Sequence, residues 1–118
     1  MTYRFENLEV WKLARQFVNL VYTITKSFPK DELFSLTNQV RRAALSVLLN
    51  ITEGSDRKSD IEFIRFLRLA YPSMEEVLAG CYIAKDQGYI NEESFNQIYD
   101  SSNMLGRKLN ALINSLKK

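Results

Sequence analysis

Side chains that could perform catalysis are few in this sequence, and their spacing does not bring them together. The chain has 118 residues and no histidine, so it has no imidazole to act as a general base or to bind zinc or iron. Its four glycines are too scattered to form a phosphate-binding loop. Adjacent glutamates occur at 75–76 and 92–93, but neighbouring side chains on a helix point about 100° apart. We therefore predict that the protein is not an enzyme and uses no metal or cofactor.

Cysteine usage and hydropathy indicate the compartment. Cys81 is the only cysteine, so the chain can form neither an intrachain disulfide nor a thiolate metal cage. Its position in phase with apolar residues is typical of a small core side chain rather than of a nucleophile. No apolar run approaches the roughly 18 residues of a membrane span, and the first residues lack the pattern of a signal peptide. These features predict a soluble, cytoplasmic protein with no membrane partner.

A polar cluster near the middle of the chain is the remaining candidate for a chemical site. Arg42, Asn50 and Glu53 fall on one face of a predicted helix, and Gly54 and Arg57 follow. The cluster could bind a ligand or catalyse a reaction. It could instead be a structural network that orients a helix corner or sets the register between subunits, with Glu53 paired to Arg42 or Arg57. We favour the structural interpretation, because a buried charge is costly unless it finds a partner.

Hydrophobic periodicity divides the first half of the chain into two helices. The first is predicted over residues 8–27, after Asn7 as its N-cap, and the second over 32–53, after Asp31 as its N-cap. Gly54 follows the last apolar position of the second helix. We expect it to end that helix in the left-handed conformation, which glycine adopts without penalty.

The second half of the chain predicts two more helices. Ser59 and Glu62 form a capping-box pattern at the start of the third helix, and Gly88 is expected to close it. Asn91 is the predicted N-cap of the fourth helix. Because the connections are short, we expect antiparallel neighbours. The sequence therefore predicts a single all-α domain, 1–118, folded as an up-down-up-down four-helix bundle.

The third helix has two unusual features. Pro72 lies inside it and is expected to kink it, and a full break is the alternative because Ser73 and Glu76 could form a second capping box. Apolar residues also almost encircle this helix, and they cover more than half of the first. A single small bundle cannot cover that much apolar surface, so we predict self-association.

Three stretches carry a resemblance to a known family: FENLEVWKLA near the start, FPKDELFSLTNQVRRAALSVLLNITEGSDRKS in the middle, and GYI before the last helix. The chain resembles, over nearly its whole length, the four-helix-bundle proteins encoded by intervening sequences in bacterial large-subunit ribosomal RNA genes. Thr52 and Pro72 depart from the usual family pattern, which has alanine and glycine there. The resemblance implies homo-oligomeric rings, pentameric where relatives are known. Through related accessory proteins of diversity-generating retroelements, it also implies binding to nucleic acid and to a reverse transcriptase.

Charge is distributed unevenly although the net charge is only +2. Residues 69–100 hold one basic and six acidic side chains, whereas 101–118 hold four basic and none acidic. In the predicted bundle one end collects five basic side chains: Arg4, Arg57, Lys58, Lys117 and Lys118. The opposite end collects five acidic ones: Asp31, Glu32, Asp86, Glu92 and Glu93. In a ring whose subunits all point the same way, the basic ends would form a positive rim able to attract phosphates.

Two functions of different class follow from these features. The first is a non-enzymatic oligomer that binds RNA or DNA through phosphate contacts on its basic rim. The second is a homo-oligomeric protein-interaction scaffold with no affinity for nucleic acid. Four acidic residues predicted near the basic rim dilute its charge and keep the second interpretation open: Glu53, Asp56, Asp60 and Glu62.

Overall fold

Four long α-helices make up most of the fold. The computed structural model describes residues 2–117 and contains no β-strand in that range, so the all-α prediction is confirmed. Short 3₁₀ turns at Arg4–Asn7 and Lys30–Glu32 precede the first and second helices. The helices are α1 (Glu9–Thr25), α2 (Leu36–Ser55), α3 (Asp60–Asp86) and α4 (Glu92–Leu116). The molecule is elongated, measuring 45 × 24 × 22 Å.

Apolar side chains from all four helices form one hydrophobic core. Phe17 of α1, Ile51 of α2, Phe63 and Leu67 of α3, and Leu109 of α4 are almost completely buried. Full burial of one such side chain is worth about 1.5–3 kcal/mol, so this core is the main source of stability. Among the described helices, none combines the length and hydrophobicity that crossing a membrane requires.

Side-chain hydrogen bonds join α1 to α2 near both of their ends. The indole N–H of Trp11 donates to the Thr52 hydroxyl at 2.9 Å. Nε of Arg41 donates to the Thr25 hydroxyl at 2.8 Å, and its guanidinium carbon lies 4.8 Å from the centre of the Tyr22 ring. The first turn of α1 therefore lies beside the last turn of α2, and the end of α1 lies beside the first half of α2.

The fourth helix contacts both α3 and α1. The Tyr71 hydroxyl donates to the backbone carbonyl of Gly106 at 2.9 Å. Nζ of Lys108 lies 3.6 Å from a carboxylate oxygen of Glu9. Each helix thus packs against two others, and the contacts close around the core in chain order.

The most extensive contact in the molecule is between α2 and α3, and a glycine on each helix permits it. A Cβ added at Gly54 would lie 2.7 Å from Cβ of Phe66 and 3.0 Å from a ring carbon of Phe63. A Cβ added at Gly80 would lie 2.5 Å from Cγ2 of Val40. Real Cβ atoms do not approach other carbon atoms so closely, so the two backbones come together only where a side chain is missing.

These contacts also fix the register of the two helices. Midway between the two glycines, the Ser73 hydroxyl donates to the Ser46 hydroxyl at 2.9 Å. Gly54 lies beside Phe63 and Phe66, whereas Gly80 lies beside Val40. The contacts run in opposite order along the two helices, so each step forward in α2 corresponds to one step back in α3.

The helix ends marked by strong capping residues agree with the sequence prediction. Ser59 caps α3 by accepting the backbone N–H of Glu62 at 3.2 Å. Asn91 caps α4 by accepting the backbone N–H of Ser94 at 2.8 Å. Gly88 follows α3 with φ of +77°, in the left-handed region that favours glycine.

The predicted N-caps of the first two helices are wrong. Asn7 is the last residue of the first 3₁₀ turn, and Leu8 occupies the N-cap position of α1 without a side-chain bond. Asp31 lies in the second 3₁₀ turn, and α2 begins at Leu36 rather than at residue 32. The Glu32 carboxylate accepts the backbone N–H of Leu36 at 3.4 Å, so a side chain from outside the helix supplies the acceptor.

The prediction for Gly54 is also wrong. Gly54 lies inside α2, which continues to Ser55, and it is buried. Within residues 2–117 the left-handed conformation occurs only at Gly88. Gly54 is therefore required for the close approach of α3 and not for a change in chain direction.

Pro72 does not break α3. The helix continues from Asp60 to Asp86, and the apolar spacing stays in phase after the proline, with Met74, Val77 and Cys81 buried. Ser73 does not cap a new helix, because its hydroxyl bonds to α2. Pro72 is exposed on the outer side of α3, where its ring meets solvent instead of the core.

The glycine contact generates a stability prediction with an internal control. Gly54→Ala should lower the free energy of unfolding by about 1–3 kcal/mol, because the added methyl overlaps Phe66. Gly106→Ala should instead raise it by up to about 1 kcal/mol, because a helical alanine has less backbone entropy to lose and its Cβ would meet Tyr71 and Met74 no closer than 3.8 Å. Urea denaturation measures both. A Gly54→Ala variant as stable as the wild type would contradict the packing account.

Candidate nucleic-acid interface

One end of the molecule brings together the Arg4–Asn7 turn, the corner between α2 and α3, and the end of α4. Nη1 of Arg4 donates to the backbone carbonyl of Ser55 at 3.3 Å. Its guanidinium carbon also lies 4.8 Å from the centre of the Phe63 ring. Arg4 therefore packs the first turn against the corner, a role that the sequence did not suggest. Its charge still contributes to the potential of this end.

Arg57 and Lys58 lie in the connection between α2 and α3. The Arg57 guanidinium carbon lies 4.6 Å from the centre of the Phe66 ring, and Nη2 is 4.0 Å from a carboxylate oxygen of Glu53. At that distance the ion pair is weak, and 45% of the Arg57 side chain remains exposed. Lys58 is exposed and has no ion-pair partner in the part of the chain that the structure describes.

A groove between the first half of α3 and the end of α4 adds further basic residues to this end. Its volume is about 540 Å³, and it is lined by three basic and three apolar side chains: Arg65, Arg68, Lys117, Ile61, Ile64 and Leu69. Arg65 already bonds the Glu62 carboxylate at 3.0 Å. Arg68 and Lys117 have no ion pair among residues 2–117, so they are the uncommitted cations of the groove. Lys118 lies outside the described residues.

Sequence reasoning placed Lys117 at this end but missed Arg65 and Arg68. The third helix is apolar on most of its circumference, and the two arginines interrupt that pattern. Because they are three residues apart, they lie on the same side of the helix, and a helical-wheel projection of α3 shows this. Acidic side chains share the same end, as the sequence predicted: Glu53, Asp56, Asp60 and Glu62.

The opposite end of the molecule is acidic. The Glu32 carboxylate accepts the hydroxyls of Ser35 and Tyr89, the latter at 2.9 Å. The bond from Ser35 and then that from Tyr89 hold the pKa of Glu32 below its ordinary range, and the same contact raises the pKa of Tyr89. Glu32 therefore stays negative at neutral pH. Nearby, Glu92 pairs with Lys85 at 3.1 Å.

The polar cluster of α2 is not a buried network, because Arg42 and Glu53 are exposed and Asn50 is half-buried. Nδ2 of Asn50 donates to the Ser46 carbonyl at 2.9 Å, one helical turn back. Glu53 reaches Arg57 only at 4.0 Å, with 60% of its side chain exposed. Arg42 is exposed and forms no ion pair with Glu53 in residues 2–117, so of the two predicted partners of Glu53 the structure shows Arg57 and not Arg42. The neighbouring Arg41, in contrast, joins α2 to α1 through its hydrogen bond to Thr25.

The sequence matches a known protein family over most of its length. Residues 6–111 match the family described as 23S rRNA-intervening sequence protein. The chain belongs to this family. The resemblance seen in the sequence is confirmed, and it covers all four helices except the last turn of α4. Thr52, one of two departures from the family pattern, accepts the hydrogen bond from Trp11.

A solved structure shares the fold of this family member. It is a crystal structure, at 1.70 Å resolution, of a protein of unknown function from the S23 ribosomal protein family of Bacteroides thetaiotaomicron VPI-5482. The TM-score is 0.79 at 22% sequence identity, over 88% of this chain and 97% of the other. No curated protein matches the chain. At this identity the likeness establishes the four-helix fold alone.

Exposed apolar surface in this family member is concentrated on α3. Four of its large apolar side chains are about half exposed or more: Ile61, Leu69, Tyr82 and Ile83. On α1 no large apolar side chain is exposed, so the expectation that α1 also has surplus apolar surface is wrong. The other helices and the first turn cover it.

Cys81 lies in the core, in the phase that the sequence predicted. It is fully buried, and burial raises the pKa of its thiol to about 11. The reactive thiolate is therefore negligible at neutral pH, which fits a core side chain.

The polar cluster of α2 generates a prediction about Glu53. Glu53→Ala should lower the free energy of unfolding by less than about 1 kcal/mol, because its ion pair with Arg57 is long and solvated. Thermal unfolding measures the change in stability. The control is Ser46→Ala, which removes the interhelical hydrogen bond from Ser73. A loss of several kcal/mol for Glu53→Ala, measured where the protein is monomeric, would indicate a buried partner within the chain and contradict this geometry.

Proposed function

We propose that this protein is a non-enzymatic homo-oligomer that binds the phosphate backbone of RNA or DNA through its basic end. The observation that carries the proposal is the gathering of Lys58, Arg68 and Lys117 at that end without an ion-pair partner in residues 2–117. Arg57, half exposed, adds to them. Arg4 and Lys118 are the other basic residues of the predicted rim. Phosphate contacts of this kind give affinity without sequence information.

The oligomer in this proposal is a ring of up-down-up-down bundles that all point the same way. Support for the bundle comes from contacts such as Trp11 with Thr52 and Arg41 with Thr25, which join opposite ends of consecutive helices. Support for assembly comes from the exposed apolar side chains of α3. The family resemblance adds the expectation of five subunits.

A ring is required because the charge of one subunit is small. Glu53, Asp56, Asp60 and Glu62 lie close to the cations and reduce the local potential. Repeating the basic end around a ring multiplies the number of phosphate contacts along one strand. Affinity rises steeply with that number, because each contact releases condensed counterions.

A second candidate function is a protein-interaction scaffold without affinity for nucleic acid. The observation in its favour is Phe34, which is 90% exposed in the connection before α2, with Leu33 beside it at 46%. Exposed aromatic side chains of this kind are typical of protein interfaces. A reverse transcriptase, which the family resemblance suggests, would be a partner of this type.

The basic end generates a prediction about salt-dependent binding. Arg57→Glu with Lys58→Glu should weaken binding to unrelated RNA and DNA sequences about equally. The slope of log affinity against log salt should fall by up to about two units for each subunit that contacts duplex DNA. Gel shifts at about 50 and 150 mM salt measure both effects. A wild-type protein that binds neither RNA nor DNA at the lower salt would overturn the nucleic-acid proposal.

A matched control separates local contacts from total charge. Lys26→Glu with Lys30→Glu changes the net charge by the same amount at the acidic end, and both lysines are exposed. This variant should bind nearly as well as the wild type, with an unchanged salt slope. Equal losses in the two variants would mean that binding follows total charge and not the basic end.

A further inference from the structure

The outer faces of α2 and α3 carry complementary side chains in the same order from one end of the molecule to the other. On α2 the exposed residues include Glu53, Leu49 and Arg42, read from the basic end. On α3 the exposed residues include Arg65, Leu69 and Glu76, read in the same direction, together with Ile61, Arg68, Pro72 and Ile83. In each of these sets of three, an apolar side chain lies between two charges, and the charges of one set are opposite to those of the other.

The register of α2 and α3 places these side chains at matched heights. Ser46 lies beside Ser73. Glu53 is seven residues after Ser46, and Phe66, next to Arg65, is seven residues before Ser73. By the same count, Leu49 and Arg42 fall one residue from the levels of Leu69 and Glu76. The matched pairs are Glu53 with Arg65, Leu49 with Leu69, and Arg42 with Glu76. One residue on a helix corresponds to about 1.5 Å, and the offset is the same for all three pairs.

None of these charges is paired across the two helices within one subunit. Glu53 lies 4.0 Å from Arg57, and Arg65 bonds Glu62, so both interact with neighbours along the chain. Arg42 and Glu76 form no ion pair in the described part of the molecule. Leu49 and Leu69 are 52% and 47% exposed. The two faces thus have complementary chemistry that the single chain leaves unused.

We infer that the outer face of α2 in one subunit binds the outer face of α3 in the next subunit of the ring. Rotation about a ring axis parallel to the helices leaves heights unchanged, so the internal register of α2 and α3 becomes the register between subunits. Leu49 then meets Leu69 at the centre, Glu53 meets Arg65 on the basic side, and Arg42 meets Glu76 on the acidic side. The arrangement has the apolar centre and polar edge of protein interfaces.

The geometry of the bundle favours a closed ring over an open filament. The interface is heterologous, since it joins two different faces of the same chain. α2 and α3 are adjacent corners of the bundle, so their outer faces point outward roughly at right angles. Successive subunits then turn by a large angle, and the assembly closes after a few copies. This interface also assigns a role to Arg42, which has no ion pair among residues 2–117, and to Glu53, whose ion pair with Arg57 is weak.

Charge reversal on one face at a time tests this interface. The α2-face variant carries Arg42→Glu and Glu53→Arg, and the α3-face variant carries Arg65→Glu and Glu76→Arg. Neither changes the net charge. Each alone should run as a monomer of 13.8 kDa by light scattering at micromolar concentration, because like charges would meet at every interface. The two mixed together should form hetero-oligomers in which the variants alternate, because the reversed α2 face fits the reversed α3 face and the unmodified faces still fit each other. A closed ring of alternating variants needs an even number of subunits, so with five subunits one interface would stay mismatched.

Controls keep the outcomes separate. Lys12→Glu with Asp100→Lys reverses two exposed charges on α1 and α4, also without changing the net charge, and should assemble like the wild type. Circular dichroism verifies that every variant folds. An α2-face variant that assembles like the wild type overturns the inference, and dimers that depend only on the α3 face would show two α3 helices packed against each other.

The inference rests on the ring of the proposed function, and the experiment distinguishes the two failures. Light scattering is carried out without nucleic acid, so a protein that assembles but binds no RNA or DNA loses only the proposed binding. A wild-type protein that is monomeric at micromolar concentration overturns the ring and this interface together. If the α2-face variant still forms a ring, the proposed ring stands and only the proposed interface is overturned.

Discussion

The close approach of α2 and α3 at two glycines determines the heights of the charged side chains on both helices. Gly54 leaves room for Phe63 and Phe66, and Gly80 leaves room for Val40. If one helix slid along the other, these side chains would no longer face a glycine and would clash. The bond between Ser46 and Ser73 lies between these contacts and agrees with them. Each outward-facing residue on α2 therefore lies at the same height along the bundle as a particular residue on α3. The register that packs the core therefore also sets the order of charges on the surface.

The same helix thus serves the core on one side and the surface on the other. Val47 and Ile51 of α2 are buried, whereas Arg42 and Glu53 of the same helix are exposed and lack strong partners. A solvated ion pair within one chain contributes little to stability, so these charges are free to act between molecules. At the basic end the free cations are suited to phosphate, because phosphate contacts need charge and reach rather than a shaped pocket.

Much of this fold could be predicted from the sequence, because helix periodicity and strong capping residues act locally. Ser59, Asn91 and Gly88 mark helix ends by chemistry that involves residues within a few positions. Gly54 was misread because its role depends on α3, which approaches it from elsewhere in the chain. The start of α2 was missed because Glu32 caps it from outside the helix. Arg65 and Arg68 entered the basic end only when folding placed them beside Lys117. Long-range contacts thus decided the roles of Gly54, Arg65 and Arg68, whereas the start of α2 depends on a side chain four residues away.

The central claim is that α2 of one subunit lies against α3 of the next with Leu49 opposite Leu69. Mixing two single variants, Leu49→Cys and Leu69→Cys, followed by mild oxidation, tests it directly, because a disulfide forms only between cysteines whose Cα atoms lie within about 7 Å. The native Cys81 is buried and does not compete. The account predicts a covalent dimer in the mixture and in neither variant alone. Equal crosslinking of Leu69→Cys by itself, or none in the mixture of assembled protein, would contradict it.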